Sequence, residues 1–396
     1  MNAITIRNLD VVFGDNPQPA LDLLDQGKSR QEINAATGTV VGVNNVSLDV
    51  EQGEICVLMG LSGSGKSSLL RAINGLNSVS RGSLLVQDGQ NSINLADCNQ
   101  TTLRQLRMHK VSMVFQKFAL MPWLTVLDNV AFGLEMQGVG KKQRRQQARE
   151  KLQMVDLQEW EDKYPHELSG GMQQRVGLAR AFAMDSDILL MDEPFSALDP
   201  LIRSQLQDEL LSLQKKLNKT IVFVSHDLDE ALKIGTHIAI MESGELIQHG
   251  TPEEIVLTPT NQYVKDFVAH TNPLNVLKGR SLMKDASSFS QDQQRWQVCS
   301  QRDLWLEHKE QGWQLTGTNH QPPSLQLMTW QSGMPTTELN STTLVMASPE
   351  ISMRDAIEIR YKTGLPILLI DKQQLVGTLN DDDFYHALLG KYHQAA

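Results

Sequence analysis

The run Gly60-Leu61-Ser62-Gly63-Ser64-Gly65-Lys66-Ser67 fits the spacing G-x-x-x-x-G-K-[ST] completely. Glycines let successive backbone N–H groups turn inward around phosphate oxygens, and a helix starting there adds the positive end of its dipole. In that arrangement Lys66 reaches the β- and γ-phosphates and the Ser67 hydroxyl ligates Mg²⁺. Gly60, Ser62, Gly63, Ser64, Gly65 and Ser68 are the remaining candidate contacts of this cradle.

Ile188-Leu189-Leu190-Met191-Asp192-Glu193 is an apolar run that ends in two carboxylates. Adjacent side chains at a strand end diverge, so Asp192 can join the magnesium shell while Glu193 accepts a proton from an attacking water. Leu168-Ser169-Gly170-Gly171-Met172-Gln173-Gln174-Arg175 sets Ser-Gly-Gly just before a helix, a second anion-receptive N-terminus. Gln116 follows the strand candidate Val111–Phe115, and His226 follows Val222–Ser225. Each is ordinary alone; their joint occurrence in this order carries the weight.

Placing these groups takes strands alternating with helices. Strand candidates are Ala3–Ile6 and Val11–Phe13, then Val46–Val50 and Glu54–Met59 as a hairpin around Glu51-Gln52-Gly53. Ser68–Asn77 reads as a helix, Thr125 to Met184 as mostly helical, and Asp187–Met191 and Thr220–Val224 as buried strands separated by a helix from Pro200 to Asn218. This pattern predicts an α/β domain with a mainly parallel sheet. Residues 15–39 interrupt it with a polar, helix-leaning insert. After about Val268 the texture changes: Ser287–Gln297 and Gln311–Gln331 are rich in Ser, Gln, Asn and Thr. Order returns as a strand (Thr343–Met346), a helix (Ser352–Thr363), two strands (Pro366–Ile370, Leu375–Leu379) and a helix (Asp381–Leu389), a compact α+β unit.

The chain of 396 residues carries 36 Lys+Arg against 46 Asp+Glu, a formal charge of −10 that disfavours nucleic-acid partners. Cys56, Cys98 and Cys299 are far apart, so neither a disulfide framework nor a zinc site is expected. Met1 to Gly14 lacks the pattern of a signal peptide, and no stretch approaches the roughly 20 apolar residues of a membrane span. A soluble protein, or one bound at a membrane through a partner, is the expectation. The basic run Lys141–Arg149 reads as a solvated helix face and the 16 methionines as core filling.

Together the motifs resemble the ATP-binding subunits of ABC transporters, over about residues 1–270. The resemblance implies a P-loop ABC cassette with the insert at 15–39 and a helical subdomain at about 117–184, followed by a linker (271–281) and a smaller α+β domain (282–396). It implies ATP and Mg²⁺ as cofactors. Phe13 would stack on adenine, and Gln116 would be the Q-loop residue that senses Mg²⁺ and the membrane partner. Leu168–Gln173 would be the signature, with Met172 where many members carry Gln, Ser196–Asp199 the D-loop that crosses a dimer interface, and His226 the switch histidine at the γ-phosphate. In such a homodimer one P-loop and the other subunit's Ser169-Gly170-Gly171 enclose each ATP, and Glu193 deprotonates the attacking water. The partner would be a membrane permease docked near Phe118, Leu120, Met121, Pro122 and Trp123, served by an exported substrate-binding protein, with the subunit peripheral on the cytoplasmic face of the membrane.

The insert, with GLSGSGKSSLLRAINGL, FQKFALMPWLTVLDNVAFGLE and DPLIRSQLQDELLSLQ, is similar to quaternary-amine importers of glycine betaine, choline or proline betaine. Met121-Pro122-Trp123 and His270–Met283 look most like choline-importer ATPases. The competing readings are an ABC ATPase acting on DNA or ribosomes, an importer subunit for another small solute, and a nucleotide-sensing regulator built on the tail. Thr343–Gly390 resembles one CBS motif through GLPILLID and LVGTLNDDDF. A degenerate first motif is expected across Leu282–Thr337, with Arg302–Leu306 and Trp313–Thr316 as remnants. The tail would serve regulation or support a dimer.

Overall fold

The first strand, β1 (Asn2–Phe13), passes unbroken through the two apolar runs that look separate in the sequence. Between them the register shifts, and Asn8 takes a left-handed φ of 46°, a region that Asn tolerates better than most residues. The computed structural model describes residues 1–116, 119–196, 198–269, 271, 276–289, 291–292, 295–299, 304–309, 312–317, 324–331 and 333–388. Phe118, Ala197, His270, Arg302 and Leu389 among the residues singled out above therefore lie outside the described residues. Contacts divide the chain into two units, Met1–Val268 and Ala269–Ala396.

In the first unit, α1 (Gln18–Asp25) and α2 (Arg30–Thr37) occupy the insert and bury Ala20, Leu21 and Ile33 with Val12 and Val41. A capping box starts α2: the Ser29 side chain accepts from the Glu32 N–H, and the Glu32 carboxylate accepts from the Ser29 N–H at 2.9 Å. Arg81 reaches Asp10 at 2.6 Å and Asp25 at 2.8 Å, fastening the insert to the strands beneath it. β2 (Val40–Glu51) returns antiparallel to β1.

β3 (Ile55–Met59) corrects the sequence reading, because it does not fold back on β2 as a hairpin. It is buried at every position and enters a different sheet, whereas the second half of β2 alternates buried with more exposed positions. A strand with no polar face belongs inside a parallel sheet, and an alternating one suits an antiparallel sheet with one wet face. Closeness in sequence was the misleading signal.

α3 (Lys66–Ile73) leaves β3 through the glycine-rich turn, and β4 (Arg81–Asp88) and β5 (Asn91–Asn94) complete an antiparallel sheet of order β2-β1-β4-β5. α4 (Gln100–His109) leads to β6 (Val111–Val114), and then α5 (Val126–Met136), α6 (Lys141–Met154) and α7 (Gly170–Ala183) pack a core of their own around Val130, Leu152 and Val176. The basic run on α6 is more than a solvated face: Arg144, Arg145 and Arg149 pair with Glu135, Asp128 and Glu161. β7 (Ile188–Asp192), α8 (Pro200–Leu217), β8 (Thr220–Val224), α9 (Leu228–Ile234), β9 (His237–Glu242) and β10 (Glu245–Gly250) follow, with α10 (Pro252–Leu257) and α11 (Gln262–Val268) closing the unit. The second sheet has the order β10-β9-β3-β8-β7-β6, parallel except for β10. It brings the carboxyl ends of β3, β6, β7 and β8 to one edge, where open α/β sheets bind ligands. Cys56 and Cys98 are free; Cys56 is wholly buried in β3, which pushes its thiol well above the ordinary range.

The second unit opens with α12 (Gly279–Leu282) and β11 (Lys284–Asp285). β12 (Gln291–Asp292), β13 (Arg295–Cys299), β14 (Leu304–Lys309) and β15 (Gly312–Thr316) then form an antiparallel sheet in that order. Among the described residues from β12 to β15 there are strands and no helix, where a degenerate strand–helix motif is expected. The reason is the period of two in Trp296/Val298, Leu304/Leu306 and Trp313/Leu315, all of which join the core of this unit. β16 (Gln326–Thr329), β17 (Thr343–Ala347), α13 (Met353–Thr363), β18 (Ile367–Asp371), β19 (Gln374–Leu379) and α14 (Asp381–Leu388) complete it around a sheet of order β11-β19-β18-β17-β16. No helix among the described residues is long and apolar enough to cross a membrane.

Candidate functional site

The turn between β3 and α3 is built from glycines in conformations that other residues resist. Gly60, Gly63 and Gly65 have φ of 139°, 79° and 103°. A side chain on Gly60 would meet the Met241 carbonyl at 2.1 Å, and one on Gly65 the Gly42 carbonyl at 2.5 Å. Beside Gly63 there is open space. The Lys66 ammonium folds back on the turn, donating to the Gly60 carbonyl at 2.7 Å and the Leu61 carbonyl at 2.9 Å. Burial lowers its pKa, against the opposing pull of Glu193 and Asp192. An ammonium resting on neutral carbonyls is available to a stronger, charged acceptor.

At the end of β7 the two carboxylates diverge, as expected. Asp192, fully buried, accepts from Ser67 Oγ at 2.8 Å and from Arg71 Nη2 at 3.1 Å. Glu193 takes a left-handed φ of 48°, fixed by its N–H on the Val224 carbonyl and by Ser196 Oγ on its own carbonyl at 3.0 Å. Such a conformation costs about 1–3 kcal/mol and persists where neighbours over-determine it. Gln116 Nε2 donates to Glu193 Oε2 at 2.8 Å, and His226 Nδ1 lies 3.5 Å from the same oxygen.

One cleft of about 640 Å³ gathers Phe13, Lys66, Ser67, Gln116, Glu193 and His226, together with Ser62, Gly63, Gly65 and Ser68. Gly60, Ser64 and Asp192 lie behind this lining, Ser64 and Asp192 being buried. Ser169, Gly170, Gly171 and Asp199 are not brought to it. Ser169 caps α7 and Asp199 caps α8, each accepting a backbone N–H of the first turn; Gly170 faces open space.

Sequence reasoning missed several contributors. Arg30, at the start of α2, lines the cleft and donates to the Gly63 carbonyl at 3.0 Å. Ser225 braces the turn that carries His226: its Oγ donates to Glu230 Oε2 at 2.5 Å and accepts the Asp227 N–H at 3.0 Å. Gln207 donates to the other Glu230 oxygen at 3.0 Å, and burial pushes the Glu230 carboxyl up. A lone Arg in a polar insert and a Ser before His carry no sequence signal of these contacts.

Asn129 clamps the loop ahead of α5, accepting from the Met121 N–H at 2.8 Å and donating to the Met121 and Leu124 carbonyls. Trp123 is left 72% exposed, while Leu120 packs on the helical core. A second groove of about 390 Å³ is lined by Leu76, Met108, Phe115, Met121 and Met136 among others.

The donor set suits Mg²⁺, because a hydroxyl (Ser67), a carboxylate (Asp192) and an amide carbonyl (Gln116) are hard oxygen ligands, and this ion takes its remaining ligands from phosphate and water. The open hollow beside Gly63, with Lys66 at its edge, suits a polyphosphate.

Residues 43–196 match the family model described as ABC transporter. The chain is 50% identical over 281 residues to the glycine betaine/proline betaine transport system ATP-binding protein ProV of Escherichia coli (strain K12), covering 71% of this chain and 69% of that protein. It is 43% identical over 227 residues to the choline transport ATP-binding protein OpuBA of Bacillus subtilis (strain 168), covering 57% and 58%. Among solved structures, the ATP-binding cassette MJ0796, a dimer in a post-hydrolysis state bound to ADP and Pi, superposes with a TM-score of 0.54 at 30% identity, over 63% of this chain and 98% of that one.

Proposed function

The chain belongs to the family of ABC-transporter ATP-binding subunits that includes ProV, and from that premise we propose that it hydrolyses ATP to power import of a quaternary ammonium osmolyte, glycine betaine or choline, through a membrane permease. The observation that carries this reading is the 50% identity over 281 residues to a betaine transport subunit. Met121-Pro122-Trp123 draws the reading toward choline, while the longer alignment is with the betaine relative. The cation never meets this subunit, so competitive uptake of the two solutes decides between them.

Phe13 stacks on the adenine, and Lys66 leaves its loop carbonyls for the phosphates. Ser67, Asp192 and Gln116 hold Mg²⁺, which when bound neutralises phosphate charge. Glu193, once Gln116 releases its Oε2, orients a water and takes its proton. Ser169, Gly170, Gly171 and Asp199 stand outside their own cleft because they serve the nucleotide of a second copy in a homodimer. That assignment is supported by the dimeric state of MJ0796. The permease docks at the surface that includes Trp123 and the groove lined by Met121, which keeps the subunit peripheral on the cytoplasmic face of the membrane, with an exported binding protein delivering the solute.

The second unit repeats the strand, helix, strand, strand, helix order of one CBS motif from β17 to α14, and regulation by ionic strength or a nucleotide is its proposed task. A chain stopped after Val268 should keep ATP binding and lose the dependence of uptake on osmolarity. Unchanged dependence would remove that task. For the function as a whole, affinity purification from membranes should recover a multi-span permease. Recovery of ribosomes or DNA would favour the competing reading, which the net charge of −10 already disfavours.

A further inference from the structure

We propose that Arg30 is a phosphate-binding residue, supplied to the nucleotide cleft by the insert, that exchanges the Gly63 carbonyl for a phosphate oxygen when ATP binds. This rests on the ATP-binding reading above and gives the insert a task in it.

Arg30 is held in place by the insert's own structure. It is the first residue of α2, directly after the cap Ser29, whose reciprocal bonds with Glu32 set where the helix begins. Ile33, one turn on, is fully buried with Ala20, Leu21, Val12 and Val41, so the helix cannot roll freely. The Arg81–Asp25 pair anchors the other insert helix. The guanidinium is therefore delivered to the middle of the phosphate loop by fixed elements.

Among the described residues no carboxylate forms an ion pair with Arg30, whereas Lys28 beside it pairs with Glu32, and Arg7, Arg71 and Arg81 pair with Asp49, Asp192 and Asp10. Arg30 is half-buried and spends a fork of five N–H donors on one neutral carbonyl at 3.0 Å. A guanidinium fork matches phosphate oxygens and binds them more strongly than a neutral acceptor. Lys66 shows the same pattern from the loop itself, its ammonium on the Gly60 and Leu61 carbonyls. Both cations rest on carbonyls of one turn and line one cleft, with open space beside Gly63. The group that would complete both is a polyphosphate.

The test is equilibrium binding of ATP, ADP and adenosine to the untagged full-length protein, with urea unfolding of each variant alongside. Arg30→Ala should weaken ATP and ADP about tenfold, the size of one charge-assisted contact, and leave adenosine within twofold. Arg30→Lys should recover part of the loss. ATP affinity unchanged in Arg30→Ala, or adenosine weakened as much as ATP, would overturn the proposal. Arg30→Gln, of similar length, repeats the comparison if the alanine variant unfolds early. A wild-type protein that binds no ATP, or a Lys66→Ala variant that binds it normally, would instead overturn the reading on which the proposal rests.

Discussion

The Gln116 side-chain amide donates to Glu193 Oε2 at 2.8 Å, and His226 Nδ1 stands 3.5 Å from the same oxygen. The oxygen that would take a proton from water thus accepts a hydrogen bond from Gln116, at the end of β6, while His226, at the end of β8, stands nearby. Under the proposed mechanism Gln116 would have to release that oxygen before it acts as base, which would tie the chemical step to movement of the segment bearing Gln116. Glu193→Gln should lower turnover about 100-fold or more while ATP affinity stays within a fewfold, and ATP should hold the variant as a dimer on size-exclusion chromatography. Wild-type turnover in this variant would remove Glu193 as the base.

The glycines of the phosphate turn should separate by role. Gly60→Ala places a methyl 2.1 Å from the Met241 carbonyl at a φ of 139°, and should cost about 2–4 kcal/mol of stability in urea unfolding. Gly63→Ala meets no protein atom, so only its φ of 79° opposes it, a cost of about 1–2 kcal/mol. Its methyl fills the hollow meant for phosphate, so ATP binding should suffer more than folding does. Equal stability losses at the two positions would contradict this assignment.

Burial raises the folded pKa of Glu230 above its ordinary 4.5. The sign follows: the stabilising contribution of this carboxyl is complete below pH 4.5 and fades as the pH rises through the raised folded value. Glu230→Gln keeps an oxygen for the Ser225 hydroxyl, so it should lose most against the wild type near pH 4.5 and least near pH 7. Urea midpoints at the two pH values measure this, and a deficit that grows with pH would reverse the assignment. Ser225→Ala should cost about 1–2 kcal/mol and slow turnover more than it weakens ATP binding, because it loosens the turn under His226.

Trp123, 72% exposed and two residues after Met121, which lines the apolar groove, should matter to the complex more than to the subunit. Trp123→Glu should reduce solute uptake by tenfold or more and release the permease during detergent purification, with the urea midpoint of the subunit unchanged within about 0.5 kcal/mol. Normal uptake at normal expression would dismiss this surface as the docking site.

The phosphate turn was legible because its geometry is local: glycines at fixed spacing and a strand and helix on either side suffice to form it. The carboxylates of β7 were legible for the same reason, since an apolar run closing on two adjacent carboxylates is itself a local pattern, although Asp192 proves fully buried. What escaped was set by tertiary contacts. The residues between β2 and β3 look like a hairpin turn, yet full burial of Ile55–Met59 sends β3 between β9 and β8. β4, β9 and β10 are not among the strands expected from the sequence. Arg30 and Gly63 are 33 positions apart, and nothing about an arginine in a polar insert shows that it returns to the phosphate turn. Ser169 and Asp199 were expected near nucleotide through family resemblance, yet neither lines this chain's own cleft, and the proposed homodimer is what would bring them to a nucleotide.

The most direct measurement is ATP-driven accumulation of labelled glycine betaine and choline in proteoliposomes holding this subunit, its permease and the solute-binding protein. Accumulation of at least one of the two against its gradient, dependent on ATP and abolished by Glu193→Gln, is the predicted result. ATP hydrolysis by the assembled complex without uptake of either solute would contradict the proposed function.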